Sequence, residues 1–396
     1  SRLPSYMVPT HYVKVERFPL TVNGKIDRTE LTQRELQIDG QFADVTELDD
    51  SLVGELTKIW RRVLRLPSIE AHENFFDIGG HSILAAKLFT EIRDRLHKTL
   101  PLSTLFEAPT IAGLAKVIAS SDDVPWSPLV PIRVNGRRTP FFCVHPMGGN
   151  VLVFKELSDR LAGRPFYGLQ ARGLNGEEHP HTSIEEMAAD YLAYVRQVQP
   201  DGPYLLGGYS AGGLVAFEMA RLLKGMGQEV ELVVLFDTYL HRESVPGTMA
   251  STRRPVIAKA FSGISRRLWQ MRNLRGENRL VVVARDVARL WATVKLKAYP
   301  RLNRIAPFRL DSVSGFLLAL RTYRPKPLDA RIVLFLADQN TPTPTADLAA
   351  VWQTLVTGHL DVVHLAVDHD GLVHDPFAGV LATNIEQCLS QETVAG

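Results

Sequence analysis

Gly208-Tyr209-Ser210-Ala211-Gly212 follows the apolar run "YLL" and precedes "GLVAFEMA". A G-x-S-x-G pentad between a strand and a helix fits a nucleophile elbow, in which a sharp turn lifts the serine hydroxyl above a sheet. The flanking glycines let the backbone bend there without a Cβ clash. Such a serine needs a base within hydrogen-bond reach and an acid to orient the base. His369 comes directly after the apolar run "VVHLAV", with His374 close behind and His364 inside the run. Catalytic loops gather at the C-terminal ends of parallel strands, which favours His369. Two acids close apolar runs in the same way, Asp237 in "VVLFD" and Asp338 in "IVLFLAD", and spacing leaves both open. "HPMGG" (145–149) follows another such run. Its glycines allow the Met147 N–H to join that of Ala211 as a two-donor oxyanion hole. One such donor contributes about 2.7–4 kcal/mol in a serine hydrolase. A plain turn that closes the strand is the ordinary alternative.

A second serine raises a different chemistry. In "FFDIGGHSILAAKL" (75–88), Ser82 sits where a glycine-rich loop gives way to a helical pattern. No strand precedes it and no base is evident. An exposed serine at a helix start suits modification by another enzyme, and N-capping is the structural alternative. Near the N-terminus, Asn23-Gly24 in "PLTVNGKIDR" signals a tight turn that presents Lys25.

The elements that must position these groups divide into four segments. Residues 1–32 are a short extended tail, and 33–48 are polar and acidic like a linker. Residues 49–120 read as a four-helix unit: Leu52, Leu56, Ile59, Trp60 and Val63 recur at helical spacing, and further helices are expected from Ser82 and from Thr110. Residues 121–131 have linker composition. From 132 to 396, "PFFCVHP", "PYLLGGYS", "VELVVLFDT", "ARIVLFLAD" and "VVHLAV" alternate with helical stretches, the pattern of a buried, mainly parallel sheet. Ser183 opens one of these helices as a capping box with Glu186. The alternation lapses over about 240–312, where amphipathic stretches with basic outer faces read as a helical insertion.

The chain has 396 residues, 45% hydrophobic and 22% charged, with a net charge of +2. These are globular values, and no apolar run approaches the length of a membrane span. Residues 240–310 hold 16 Lys/Arg against 3 Asp/Glu, whereas 39–55 hold six acids and no base. The basic stretch reads as a solvated helical surface, with neither nucleic acid nor membrane as a partner. Two cysteines, Cys143 and Cys388, give no metal or disulfide framework, and with no signal peptide the expected compartment is the cytoplasm. "SRLPSYMVPT" reads as the interior of a longer chain.

At the level of family, "LPSYMVPTHYVKVERFPLTVNGKIDRTEL" resembles the end of an adenylation domain of a nonribosomal peptide synthetase, where the lysine matching Lys25 contacts the acyl-adenylate. "FFDIGGHSILA" resembles the peptidyl carrier protein motif, whose serine, here Ser82, receives 4′-phosphopantetheine. From about 132 onward the chain resembles a type I thioesterase, with "HPMGG", "GYSAGG", "LFDTY" and "DHDGLVHDP" in the family's order. The resemblance implies a multidomain chain: a four-helix carrier protein followed by an α/β-hydrolase domain with a helical lid at about 240–312. It favours Asp237 over Asp338 as the acid. It implies that a peptidyl thioester on the Ser82 phosphopantetheine passes to Ser210 and leaves by hydrolysis or macrocyclisation. The partners it implies are upstream condensation and adenylation domains, a phosphopantetheinyl transferase and a peptidyl substrate. An editing thioesterase and a free-standing esterase or lipase are the alternatives.

Overall fold

A computed structural model describes residue 19 and residues 52–120, 126–161, 163–174, 178–240, 311–339 and 345–390. The Lys25 turn, the acidic linker and nearly all of the expected lid lie outside the described residues.

The first unit holds α1 (Leu52–Leu64), α2 (Ser82–Leu96), α3 (Thr104–Glu107) and α4 (Ile111–Ala119). Leu56, Ile59, Trp60 and Val63 form the buried stripe of α1, spaced i, i+3, i+4, i+7. Trp60 meets Phe75 edge-on at 5.2 Å between ring centroids. The long loop before α2 is tied to α4 by backbone bonds from Phe75 N–H to the Pro109 carbonyl (2.7 Å) and from Ala112 N–H to the Ala71 carbonyl (2.8 Å). Thr110 caps α4, its hydroxyl accepting from Gly113 N–H at 3.0 Å.

The second unit runs β1 (Leu129–Arg133), β2 (Phe141–Val144), a 3-10 turn (Leu152–Phe154), α5 (Lys155–Arg160), β3 (Phe166–Leu169), α6 (Ile184–Val198), β4 (Tyr204–Tyr209), α7 (Gly212–Gly225), β5 (Val230–Phe236), α8 (Ser312–Thr322), β6 (Arg331–Gln339), α9 (Thr345–Gln353), β7 (His359–Asp368) and α10 (Phe377–Ser390). The strands lie in the order β1-β3-β2-β4-β5-β6-β7. All neighbours are parallel except β1, which is antiparallel to β3. Successive strand residues go to opposite faces. Phe142, Leu206, Val233 and Leu334 pack under α6, α7 and α9, while Phe141, Leu205, Val234 and Val333 pack under α5 and α10. Both faces are therefore covered, as parallel strands require.

The structure adds two strands that the apolar runs did not disclose. β1 begins inside the stretch expected to be linker. It carries Pro131, which is tolerated because the strand is an edge, and the register shifts just after it. β3 is only four residues long and contains Gly168, over which Val151 packs so closely that an added Cβ would meet it at 2.6 Å. Ser183 caps α6, with its hydroxyl accepting from Glu186 N–H at 3.3 Å.

Candidate active site

Ser210 stands between β4 and α7 with φ +57°, and Asp237 stands after β5 with φ +44°. Neither is glycine, so each residue holds a left-handed backbone that costs roughly 1–3 kcal/mol and persists only where its surroundings impose it. The ladder does so: Ser210 N–H donates to the Phe236 carbonyl at 2.7 Å, and Asp237 N–H to the Phe335 carbonyl at 2.8 Å. Both side chains thus emerge at the same edge of the sheet.

His369 follows β7 at that edge, and its Nδ1 lies 2.5 Å from Asp237 Oδ2. The Asp237 side chain is fully buried, and its carboxylate also accepts from Ala337 N–H at 3.1 Å and from the Tyr239 hydroxyl at 3.0 Å. Burial and the adjacent Asp237 charge push the Tyr239 hydroxyl up, so it stays a donor. Trp352 Nε1 donates to the Thr238 carbonyl at 3.0 Å and fixes the loop between Asp237 and Tyr239. Tyr209, next to Ser210, stacks on His369 at 5.0 Å and 27°, and its hydroxyl donates to the His369 carbonyl. Among the described residues Ser210 Oγ makes no hydrogen bond to His369, and the link between them runs through Tyr209. The competing residues have other partners. Asp338 bonds to His364 at 3.0 Å on the surface, and His374 bonds to Glu156 at 2.9 Å.

The "HPMGG" turn is held by a buried histidine. His145 Nδ1 lies 2.7 Å from the Pro146 carbonyl and Nε2 lies 2.9 Å from the Tyr191 hydroxyl. Burial pushes the His145 pKa down to about 4, so the ring is neutral near pH 7. Nδ1 faces only an acceptor, so it carries the proton, and Nε2 accepts from Tyr191. The Pro146 carbonyl also accepts from Gly149 N–H at 2.9 Å. Across a trans peptide the N–H points opposite to the C=O. Locking that carbonyl therefore turns the Met147 N–H away from the His145 ring. Gly212 brings the turn to Ala211: a Cβ there would lie 2.2 Å from the His145 carbonyl oxygen, so only glycine lets α7 start against the end of β2. Gly212→Ala is expected to destabilise the fold by about 1–3 kcal/mol, read by thermal unfolding.

His145 also makes stability depend on pH. An unfolded histidine takes a proton near pH 6.5, whereas the folded site refuses it until about pH 4. The stabilisation is complete above pH 6.5 and is lost as pH falls from 6.5 toward 4, by about 3 kcal/mol in total. Urea unfolding across this range should show that loss, with a shallower slope in His145→Gln.

In the helical unit, Ser82 is the first residue of α2, and the N-cap position belongs to His81, in extended backbone. The Ser82 hydroxyl therefore has no capping role and remains partly exposed. The preceding turn needs Gly80, since a Cβ there would lie 2.3 Å from the Phe75 ring. No acid occupies the first turn of α2. A phosphate attached at Ser82 would meet the positive end of the helix, so the residues present fit a phosphopantetheine arm.

Tyr209, Tyr239, Tyr191 and His145 serve this edge without having been singled out as site residues. The signal of Tyr209, Tyr239 and His145 was position alone, within the quoted motifs, whereas Tyr191 lies in α6 outside all of them.

Residues 139–388 match the family described as Thioesterase domain, and residues 54–118 match that described as Phosphopantetheine attachment site. Malpinin synthetase of Mortierella alpina is 43% identical over 244 residues, covering 60% of this chain and 3% of that protein. The dimodular nonribosomal peptide synthase of Bacillus subtilis (strain 168) is 42% identical over 242 residues, covering 60% of this chain and 10% of its own length. The chain thus spans a small fraction of these curated relatives. Among solved structures, a holo four-domain nonribosomal peptide synthetase bound to AMP and glycine aligns over 97% of this chain and 29% of its own, at 27% identity and a TM-score of 0.49. Among the described residues no helix is long and apolar enough to cross a membrane.

Proposed function

The chain belongs to the thioesterase domain family, with a phosphopantetheine-attachment domain ahead of the thioesterase domain and homology to nonribosomal peptide synthetases, and from that premise we propose that it releases a peptidyl group from Ser82 by way of Ser210. One observation carries this reading: the fully buried Asp237 pairs at 2.5 Å with the partly exposed His369 on the sheet edge that also bears the left-handed Ser210 elbow. When attached to Ser82, 4′-phosphopantetheine supplies the thiol that carries the acyl group as a thioester. His369 Nε2 accepts the Ser210 proton as Oγ attacks the thioester carbonyl. Such contacts are often long before a substrate arrives, consistent with the Tyr209-mediated link. Asp237 fixes the proton on His369 Nδ1 and stabilises the imidazolium. The N–H groups of Met147 and Ala211 hold the oxyanion. As the intermediate collapses, the C–S bond breaks and His369 returns its proton to the leaving thiolate, leaving the acyl group on Ser210. His369 then deprotonates water or a nucleophile of the peptide itself, and the released product restores Ser210.

In this account Lys25 and the tail belong to an adenylation domain that lies upstream with a condensation domain, a phosphopantetheinyl transferase modifies Ser82, and the chain works in the cytoplasm. The domain limits of 1–32, 33–48, 49–120 and a lid at about 240–312 belong to the same proposal. Its test is direct. A phosphopantetheinyl transferase with coenzyme A should modify Ser82 and not Ser82→Ala, and the unmodified chain should cleave a small soluble peptidyl thioester. A chain that accepts no arm and cleaves no thioester contradicts the proposal.

A further inference from the structure

The helical and α/β units meet at a surface that holds none of the reacting groups. Leu152 belongs to the α/β unit, yet it is 5% exposed because it packs into the apolar cluster of the helical unit. Phe106 of α3 reaches the other way and packs against the sheet's cluster. It stacks on Phe76 with ring centroids 5.7 Å apart and planes at 16°. Lys155 Nζ, at the start of α5, sits 5.6 Å from the centroid of the Phe76 ring, placing its charge toward the negative face of the aromatic. The contact thus has apolar side chains exchanged in both directions and one cation held over a ring. That mutual exchange distinguishes a fitted contact from two units joined only by a linker.

The same surface leads to the two edges where the chemistry is placed. Leu152–Lys155 follows the "HPMGG" turn by a few residues. Glu156, next along α5, bonds His374 Nδ1 at 2.9 Å and accepts from Asp375 N–H at 2.6 Å, which ties α5 to the loop that carries His369. Burial first, and then the charges of His374 and Lys87, lower the pKa of His81, the neighbour of Ser82. The described contacts therefore run from Phe106 through Phe76 and Lys155 to Glu156, His374 and the loop that carries His369, while the Phe75–Gly80 turn that holds Phe76 leads straight into Ser82.

We propose that Phe76 and Phe106 on one side and the Leu152–Lys155 segment on the other form a docking surface that seats the helical unit on the α/β unit, with Ser82 facing the edge that bears His369 and Ser210. The proposal deepens the acyl-transfer reading and rests on it for the meaning of that placement. The contact itself is made by the protein chain alone, so docking precedes and does not need the arm.

The test uses the full chain with Phe106→Ala and, separately, Lys155→Glu. In the unmodified proteins, hydrogen–deuterium exchange should quicken across the contact: residues 151–156 in Phe106→Ala, and residues 104–107 and 75–82 in Lys155→Glu. In the pantetheinylated chain loaded with a peptidyl thioester, single-turnover release should fall at least about tenfold in Phe106→Ala, the loss typical of truncating an aromatic anchor. Turnover of a small soluble peptidyl thioester should stay within about twofold of wild type, since neither residue touches the reacting atoms. Lys155→Glu, on the opposite side of the contact, carries the comparison if the alanine variant loosens the helical unit. Exchange across the contact that matches wild type in both variants would overturn the docking surface. A wild-type chain that cleaves no soluble thioester would instead overturn the acyl-transfer reading, leaving exchange to decide the docking.

Discussion

Ser210→Ala is expected to reduce product release from the loaded chain by roughly 10,000-fold to a million-fold while leaving it folded. The size follows from what is removed. The variant keeps the oxyanion donors and the elbow, but no oxygen remains to form the acyl intermediate, and His369 has no proton to take. Only direct attack by water on the thioester is left. The fold should survive because Ser210 Oγ is not among the hydrogen-bonded groups of the core; the strained backbone at φ +57° is imposed by the Phe236 ladder bond and by the start of α7. Single-turnover release, with circular dichroism and unfolding as controls, measures both halves. A variant that releases product within about tenfold of wild type would remove Ser210 from the mechanism, since loss of a nucleophile costs far more than that.

Asp237→Asn is the second large effect, with release expected to fall about 10,000-fold. Asp237 Oδ2 sits 2.5 Å from His369 Nδ1 and also takes the Tyr239 hydroxyl at 3.0 Å. An asparagine is nearly the same shape, so the packing around this fully buried residue should hold. What changes is the proton. An amide NH2 facing Nδ1 favours the tautomer with its hydrogen on Nε2, which then has no lone pair to accept the Ser210 proton, and no negative charge remains to stabilise the imidazolium. Asp338→Asn is the control. Asp338 is a surface residue whose partner is His364 at 3.0 Å, and its loss should leave release within roughly twofold. If Asp338→Asn abolished release and Asp237→Asn did not, the acid would have been assigned to the wrong strand.

How far the sequence led differs by element. The buried parallel strands were legible because each is an unbroken apolar run closed by a turn residue, and the elbow was legible because its glycines, strand and helix fall in register. The helical unit was legible from the i, i+3, i+4 stripe of α1 and the Thr110 cap. β1 and β3 were not. One contains a proline and half its residues face out, and the other is four residues long, so neither produces a run that periodicity detects. For the site, residue type and chain order named Ser210, His369, Met147 and Ala211 as candidates, but they left Asp237 and Asp338 equivalent, because both close a strand. The family resemblance leans to Asp237, and in the structure it is Asp237 that lies beside His369. The roles of His145 and Tyr191 were invisible for a related reason. A buried histidine that locks a carbonyl looks, in one dimension, like any residue of a turn motif, and its partner lies 46 positions away. The same holds for Phe76 and Phe106, which read as core residues of a small helical unit until Leu152 and Lys155 are seen against them.

The central claim is that one serine carries the acyl group and a second takes it over. The measurement that tests it most directly follows a labelled peptidyl group by peptide-level mass spectrometry after loading Ser82 in the His369→Ala and Ser210→Ala chains. The account predicts that the label remains on the Ser82 arm in Ser210→Ala, and that in His369→Ala the small fraction that moves is found on Ser210 before release. Label released from Ser210→Ala at the wild-type rate, or found on any residue other than Ser82 and Ser210 in wild-type chain, would contradict it.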